Sequence, residues 1–496
     1  MDLVLLAPLR LEALALRGMG APVEQLGMGP TKARSSVQRL LAGDSPPKAA
    51  AIMGIGGALG DDLVPGDVVV ADRLVGPEGR QVAELASAPL IAGELRRAGL
   101  RARTGTVVTT DHIVTGAERQ KLRELADVVD MESLPVAEMV GASGTSLAVV
   151  RAISDSPEHE LWSLAGAAGV TRALLTLRRA APVLLTWAQA LAPRTVLLAD
   201  PRSFCAGVRR AIETVQRAIA LFGAPVYVRR QIVHNAHVVE ELEAAGAVFV
   251  EELDQVPDGA TVVFSAHGVG TAVQHEAQVR NMRTVDATCP LVSKVHHEAK
   301  RFAGSGRQVV LIGHRGHDEV EGTLGTVPGI RLVSGPEDID GIDATKPTAV
   351  VTQTTLATDE VAGMMAALDK HFIDLVHPSA SDICYASQNR QEAVRAMAPE
   401  CELVLVVGSR NSSNANRLVE VARRAGAPAH LVEDEADVKL SWLAGRHHIG
   451  ISAGASAPET LVQRLVACLA ALGPISTVER ATMQENVTFS LPVEVR

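Results

Sequence analysis

Aromatic side chains are scarce: Phe, Trp and Tyr together make up 2% of the 496 residues. Cores must then be built from Val, Leu, Ile and Ala, and the stacking platforms on which single-stranded nucleic acid lies are not expected. No apolar run reaches the ~18 residues of a membrane span, so no membrane partner is expected. The start, Met1-Asp2-Leu3, reads as a short apolar strand without the basic opening or small-residue cleavage site of a secretory signal. A cytoplasmic location is the expectation. Positive charge is also in deficit, with a formal net charge of −10; a nucleic acid or other polyanion is not the main partner, although one local pocket could still take a small anion. Cysteine is sparse and odd in number, five in all with no C-x-x-C pair. That pattern argues against a disulfide framework and against an ordinary structural zinc site.

What is present is an alternation of short β-branched runs with amphipathic Ala/Leu/Arg/Glu stretches, the pattern of α/β folds with parallel sheets. VVVAD from Val68, TVLLAD from Thr195, TVVFSA from Thr261, QVVLIG from Gln308 and LVLVVG from Leu403 are the clearest strands. At roughly 150 residues per domain the length suggests about three compact units. An Ala/Leu/Arg-rich segment from about Trp162 reads as one or two closing helices and breaks at Pro193, so the main boundary is placed there. Residues 1–193 form a first domain and 194–496 a second.

In the second domain, VLLADPRSFCAGVRRAIETV, TVDATCPLVSKVHHEAKRFA and SDICYASQNRQEAVRAMA each place a cysteine just before a helix-like stretch. Their spacing is close to the size of a small βαβα lobe, so the simplest organisation is a three-lobed pseudo-repeat. Functional groups of parallel sheets gather beyond the carboxyl ends of the strands, where Cys205, Cys289 and Cys384 could meet. A helix start lowers a thiol's pKa and favours the metal-binding thiolate; the alternative is three small buried hydrophobes. Cys401, ahead of a strand, and Cys468, inside an apolar helix, are read as structural. Three widely separated thiolates fit a cluster better than zinc, and a 4Fe-4S cluster with three protein ligands keeps one iron free.

Polar loops surround these cysteines. His234, His267, His314 and His317 follow strands, as do Ser412, Ser413, Asn414 and Ser456. Hydroxyls, amides and free N–H groups at helix starts suit phosphate oxygens, or they serve only as helix caps. Glu319 and Thr354 are candidates for moving protons, with a solvated loop carboxylate as the alternative for Glu319.

Taken in order, PRSFCAGVRRAI, IVHN, FSAHGV, DATCPLVSKVH, GHRGHDEVEGT, TQTTL, DICYASQNRQEAV, GSRNSSNANRL and SAGASAP resemble the 4-hydroxy-3-methylbut-2-enyl diphosphate reductases over residues 195–490. The resemblance implies a 4Fe-4S cluster on Cys205, Cys289 and Cys384, open at one iron to the substrate. It implies a diphosphate held by His234, His267, His317, Ser412, Ser413, Asn414 and Ser456, with Glu319, Thr354 and His317 at the reacting end. The reaction would be removal of the substrate's hydroxyl as water, the last step of the methylerythritol phosphate route to isoprenoids. Electrons would come from ferredoxin or flavodoxin.

Residues 1–190 resemble the nucleoside phosphorylase and nucleosidase superfamily through LLAPLRLEA, LGMGPTKA, GIGGALGDDLVPGDVVVAD, TTDHIV, VVDMES and VVRAISD. Glu12, Glu132 and Asp155 match functional acids there, with Met131 beside the sugar, and such domains often dimerise, so a homodimer is expected by analogy. The run Gly54-Ile55-Gly56-Gly57 misses the dinucleotide spacing and reads as a ligand approach or a tight turn between strands. A short Asp72–Thr109 stretch and few aromatics leave open whether this domain is a hydrolase or a binding or assembly module. Three function hypotheses result: a reductase with an accessory first domain, a nucleosidase whose second domain senses redox state, or a non-enzymatic, metal-stabilised scaffold. The complete set of diphosphate and proton motifs favours the reductase.

Overall fold

The computed structural model describes residues 2–43, 46–159 and 164–496. Two compact units divide the chain. Unit one comprises Met1–Val196, Asp434–His448 and Gln463–Thr477; unit two comprises Leu197–Glu433, Ile449–Val462 and Val478–Arg496. Among the described residues no helix is long and apolar enough to cross a membrane.

Unit one is organised around an eight-stranded sheet. Ala49–Ala58 pairs in parallel with Ser146–Asp155, which pairs antiparallel with Val68–Val75. From Val68–Val75 the pairing passes in parallel to Ala102–Thr109 and on to Val128–Asp130, which returns antiparallel to Ala49–Ala58. The circuit closes, so these five strands form a small barrel without free edges. The core along it is built from Val, Leu, Ile and Ala, among them Val4, Ile52, Val69, Val107 and Val149, as the shortage of aromatics requires. One long helix, Leu164–Gln189 with Pro182 inside it, occupies the Ala/Leu/Arg-rich segment; Trp162 and Ser163 at its head lie outside the described residues.

The glycine run is not a turn. It lies within the strand Ala49–Ala58, and its missing side chains make room for charged ones. A Cβ on Gly54 would sit 2.3 Å from Nη1 of Arg151, a fully buried guanidinium that lies 2.5 Å from Asp130 and 3.8 Å from Glu132.

From Arg194 onward come three further sheets. The first, in spatial order, is Ala247–Val250, Val226–Arg229, Thr261–Phe264, Arg283–Asp286, all parallel. The second is Arg331–Val333, Gln308–Ile312, Thr348–Thr352, Leu375–Val376, again parallel. Both have strand order 2-1-3-4. The third runs Ala429–Val432, Leu403–Val407, His448–Ala453, Arg194–Asp200, Ile475–Ala481. Its fourth strand is therefore supplied by the segment that precedes the first sheet, and the three-lobed repeat is closed into a ring by the chain's own order.

Each cysteine stands where the chain leaves one sheet for the next. Cys205 begins the helix Ala206–Phe222, Cys289 begins Pro290–Gly304 and Cys384 begins Tyr385–Met397. Each helix packs on the sheet that follows it: Ala211 and Val215 with Val226 and Val228, Val295 and Phe302 with Val309 and Leu311, Val394 and Met397 with Val404 and Val406. Cys401 is half-buried, and Cys468 is buried with its thiol on the Ala86 carbonyl at 2.8 Å, consistent with structural roles.

Removing the Arg151 charge would leave Asp130, Glu132 and Glu12 without their shared cation. Arg151→Met should destabilise unit one by about 3–5 kcal/mol, read as a lower denaturation midpoint; an unchanged midpoint would refute the buried-charge account.

Candidate functional site

The lobes place side chains by one rule. Beyond the first strand of each come His234, His317 and the Ser412–Asn414 group; beyond the third come His267, Thr354 and Ser456. These are the carboxyl ends of parallel strands, where ligands bind. Together with the three cysteines they line one cavity.

Cys205 accepts a hydrogen bond from the Val208 N–H at 3.5 Å and Cys384 one from the Ser387 N–H at 3.3 Å. A Cβ on Gly207 would sit 2.7 Å from the Cys289 sulfur and 3.8 Å from that of Cys205. Only glycine at this position leaves space beside the sulfurs. At Cys289 and Cys384 the expected lowering by the helix starts does not occur. Burial pushes Cys289 up to about 12 and Cys384 up to about 11, and the neighbouring sulfurs add to it; desolvation outweighs the dipole when no cation faces the group.

Glu319 is buried rather than solvated. One carboxylate oxygen accepts from the Thr354 N–H at 2.7 Å and the other from the Thr354 hydroxyl at 3.1 Å. Burial pushes it up to about 7 against those two bonds, which places its proton near neutral pH, where a general acid works best. The Thr354 carbonyl receives the Cys384 N–H at 2.9 Å, so the carboxyl, the hydroxyl and one cysteine are held as a unit.

Three imidazoles of the same lining cluster together. His234 and His267 stack with centroids 4.2 Å apart, and His317 meets them edge-on at 5.3 and 5.8 Å. Burial holds all three below the usual histidine range, His317 to about 4. Asp318 lies 3.9 Å from His234 and 4.0 Å from His267, and the three ligand atoms fall within 4.8 Å of one another. Arg230 already pairs with Asp318 at 2.5 Å and with Glu321 at 2.6 Å. With that carboxylate neutralised, three proton-accepting rings suit an anion better than a metal ion.

Ser412 is a true helix cap, accepting from the Ala415 N–H at 3.3 Å, and it lines the cavity as well. The others are not caps. Ser413 accepts from Thr355 at 3.0 Å, Asn414 accepts from the Ala455 N–H at 2.9 Å and donates to Ser387 at 3.2 Å, and Ser456 donates to the His234 carbonyl at 3.1 Å. His314 stands apart from the cavity lining, 3.0 Å from Arg417. Sequence reasoning missed Asp318, Thr355, Ser387 and Phe489. The first two adjoin chosen residues and Ser387 lies one turn beyond Cys384, so proximity was a signal; Phe489 had none.

Glu12, Met131, Glu132 and Asp155 also share a cavity, in unit one. Glu12 accepts from the Ile55 N–H at 2.7 Å and burial pushes it up to about 7; Glu132 accepts from the Gly29 N–H at 2.9 Å and is raised by burial. Asp155 is fully engaged, by Ser154 at 2.6 Å and by an ion pair with buried Arg119. Arg119 and His112 in that lining were not anticipated.

The sequence profile of the LytB protein family matches residues 196–470. The chain belongs to the LytB family. Its LytB part is 56% identical over 300 residues to the 4-hydroxy-3-methylbut-2-enyl diphosphate reductase of Bordetella pertussis, covering 60% of this chain and 92% of that one. It is 52% identical over 307 residues to the reductase of the same name from Cutibacterium acnes, covering 61% and 95%. Among solved structures it resembles the E-1-hydroxy-2-methyl-but-2-enyl-4-diphosphate reductase from Plasmodium falciparum, with a TM-score of 0.58 and 35% identity over 61% of this chain and 96% of that one. Residues 14–180 match the phosphorylase superfamily, so the LytB part follows a phosphorylase-like domain.

An anion entering the histidine cluster should raise all three imidazoles, so binding takes up protons and strengthens as pH falls from about 7 toward 5. Calorimetry of pyrophosphate in buffers of different ionisation heat should find about one proton taken up per site. Binding without proton uptake would refute the role of these rings.

Proposed function

We propose that this LytB protein is a 4-hydroxy-3-methylbut-2-enyl diphosphate reductase, which removes the substrate's hydroxyl as water with two electrons and two protons to give isopentenyl and dimethylallyl diphosphate. The observation that carries the proposal is the single cavity lined by three sulfurs, a buried carboxyl–hydroxyl pair and three neutral imidazoles. That combination suits a substrate that carries both a reducible hydroxyl and a diphosphate.

The donor set fits a 4Fe-4S cluster. Three cysteines and no fourth line the cavity, and Gly207 leaves beside two of the sulfurs the space that a Cβ would fill. When bound on Cys205, Cys289 and Cys384, the cluster supplies the electrons and one iron with a free coordination site. The remaining work falls to the chain's own residues. His234, His267, His317, Ser412, Ser413, Asn414 and Ser456 hold the diphosphate and so fix the hydroxyl near Thr354. The Thr354 hydroxyl orients that group, and Glu319, protonated near neutrality, delivers the proton that leaves with the oxygen. Val233, Ala266, Val292 and Phe489 complete the wall and exclude water. A ferredoxin or flavodoxin is the electron donor in this reading, and the cytoplasm its location.

Residues 1–193 are assigned an accessory role. Asp155, one of the three acids matched to the nucleosidases, is committed to Arg119 and Ser154, which favours ligand binding or assembly over hydrolysis.

Glu319→Gln should lower turnover by about 10²- to 10⁴-fold while leaving pyrophosphate affinity unchanged, and wild-type turnover should fall as pH rises above about 7. Gly207→Ala should reduce iron and sulfide content after anaerobic reconstitution. Full turnover by Glu319→Gln, or unaltered iron content in Gly207→Ala, would refute these roles.

A further inference from the structure

A second groove, sharing no lining residue with the substrate cavity, opens beside the cysteine segments. Arg210, Lys294, His297 and Arg301 line it, with Asp286 and Glu298. Two of its cations tie together the three segments that carry the cysteines. Arg210, on the helix begun by Cys205, donates to the carbonyls of Ala287 and Thr288 at 3.1 Å, just ahead of Cys289. Lys294, on the helix begun by Cys289, donates to the carbonyls of Ala380 and Ser381 at 3.2 Å and to Asp382 at 3.1 Å, just ahead of Cys384.

The charge of the two helices runs against that of the whole chain. In a protein of net charge −10, Ala206–Phe222 and Pro290–Gly304 carry Arg209, Arg210, Arg217, Lys294, Lys300 and Arg301 against only Glu213 and Glu298. Of the two acids in the groove, Glu298 is buried, bonded to Ser379 at 3.2 Å and 3.7 Å from Arg301, while Asp286 is exposed and accepts from the Thr288 N–H at 2.9 Å. Arg209, Lys300 and Arg301 face solvent, the Arg301 side chain being 60% exposed.

We propose that this basic groove is the docking surface for a small acidic one-electron carrier protein, an inference that rests on the reductase reading. Transfer of electrons through protein falls steeply with distance, and this surface lies within a few residues of all three sulfur-bearing segments. It also stays open while substrate fills the other cavity. Each docking oxidises the carrier by one electron; two dockings supply the pair that, with two protons, breaks the C–O bond and releases water. Steering by opposite charge raises the encounter rate and makes it sensitive to salt.

The test uses the reconstituted full-length protein and the double variant Lys300→Glu/Arg301→Glu, neither residue being part of the substrate cavity. With a reduced acidic ferredoxin the variant should need about tenfold more carrier for half-maximal rate, and its rate should lose its dependence on salt. With methyl viologen reduced by dithionite the two proteins should agree within about twofold, as no docking is needed. Independently of turnover, oxidised ferredoxin should bind the unaltered protein by calorimetry and bind the variant about tenfold more weakly, and carbodiimide should couple its carboxylates to Lys300. Equal ferredoxin binding by both proteins, or an equal loss of rate with viologen, would overturn the docking surface. Absence of viologen-driven turnover in the unaltered protein would overturn the reductase reading instead, and the binding measurement would still judge the groove.

Discussion

Three sulfurs facing one small space is the constraint on which the rest of unit two depends. To bring them there, the chain makes each cysteine the first residue of a helix that leaves one sheet and packs on the next. Closure requires the fourth strand of the last sheet to come from Arg194–Asp200, ahead of the first sheet. The ring of lobes and the convergence of the thiols are thus one feature seen at two scales. Burial at that centre raises Cys289 and Cys384, so thiolates are favoured there only when a cation accompanies them.

The same geometry brings two kinds of chemistry into one cavity. Residues after the first and third strands converge from three directions, so the imidazoles of the first two lobes and the hydroxyls and amide of the third line the same space. In that lining Glu319 and Thr354 are locked by two mutual bonds and tied to Cys384 through the backbone. In the reductase reading such locking would hold a proton donor in place before the substrate arrives, which lowers the reorganisation needed at the reacting step.

Much of this was legible in the sequence because the site is assembled from strand ends, and strand ends are marked by a β-branched run meeting polar residues. The strands beginning near Val68, Thr195, Thr261, Gln308 and Leu403 all form, as do the cysteine-headed helices. What stayed hidden depends on partners distant in sequence. Nothing local reveals that Asp318 is neutralised by Arg230, that Asp155 is taken by Arg119, or that Gly54 makes room for Arg151. The glycine run read equally as a ligand approach or a turn, because turns and crowded strands both demand a missing side chain; it is a strand whose Gly56 and Gly57 line the unit-one cavity. The thiol shift was expected downward because a helix start is visible in sequence, whereas the depth of burial that overrides it is not.

The central claim is that three protein sulfurs hold a four-iron cluster with one iron left for substrate. Anaerobic Mössbauer spectroscopy of iron-57-reconstituted protein, with and without 4-hydroxy-3-methylbut-2-enyl diphosphate, addresses it most directly. The account predicts one iron distinct from the other three, and a change confined to that iron when the substrate is added. Four equivalent irons indifferent to the substrate, or a colourless protein carrying zinc, would contradict it.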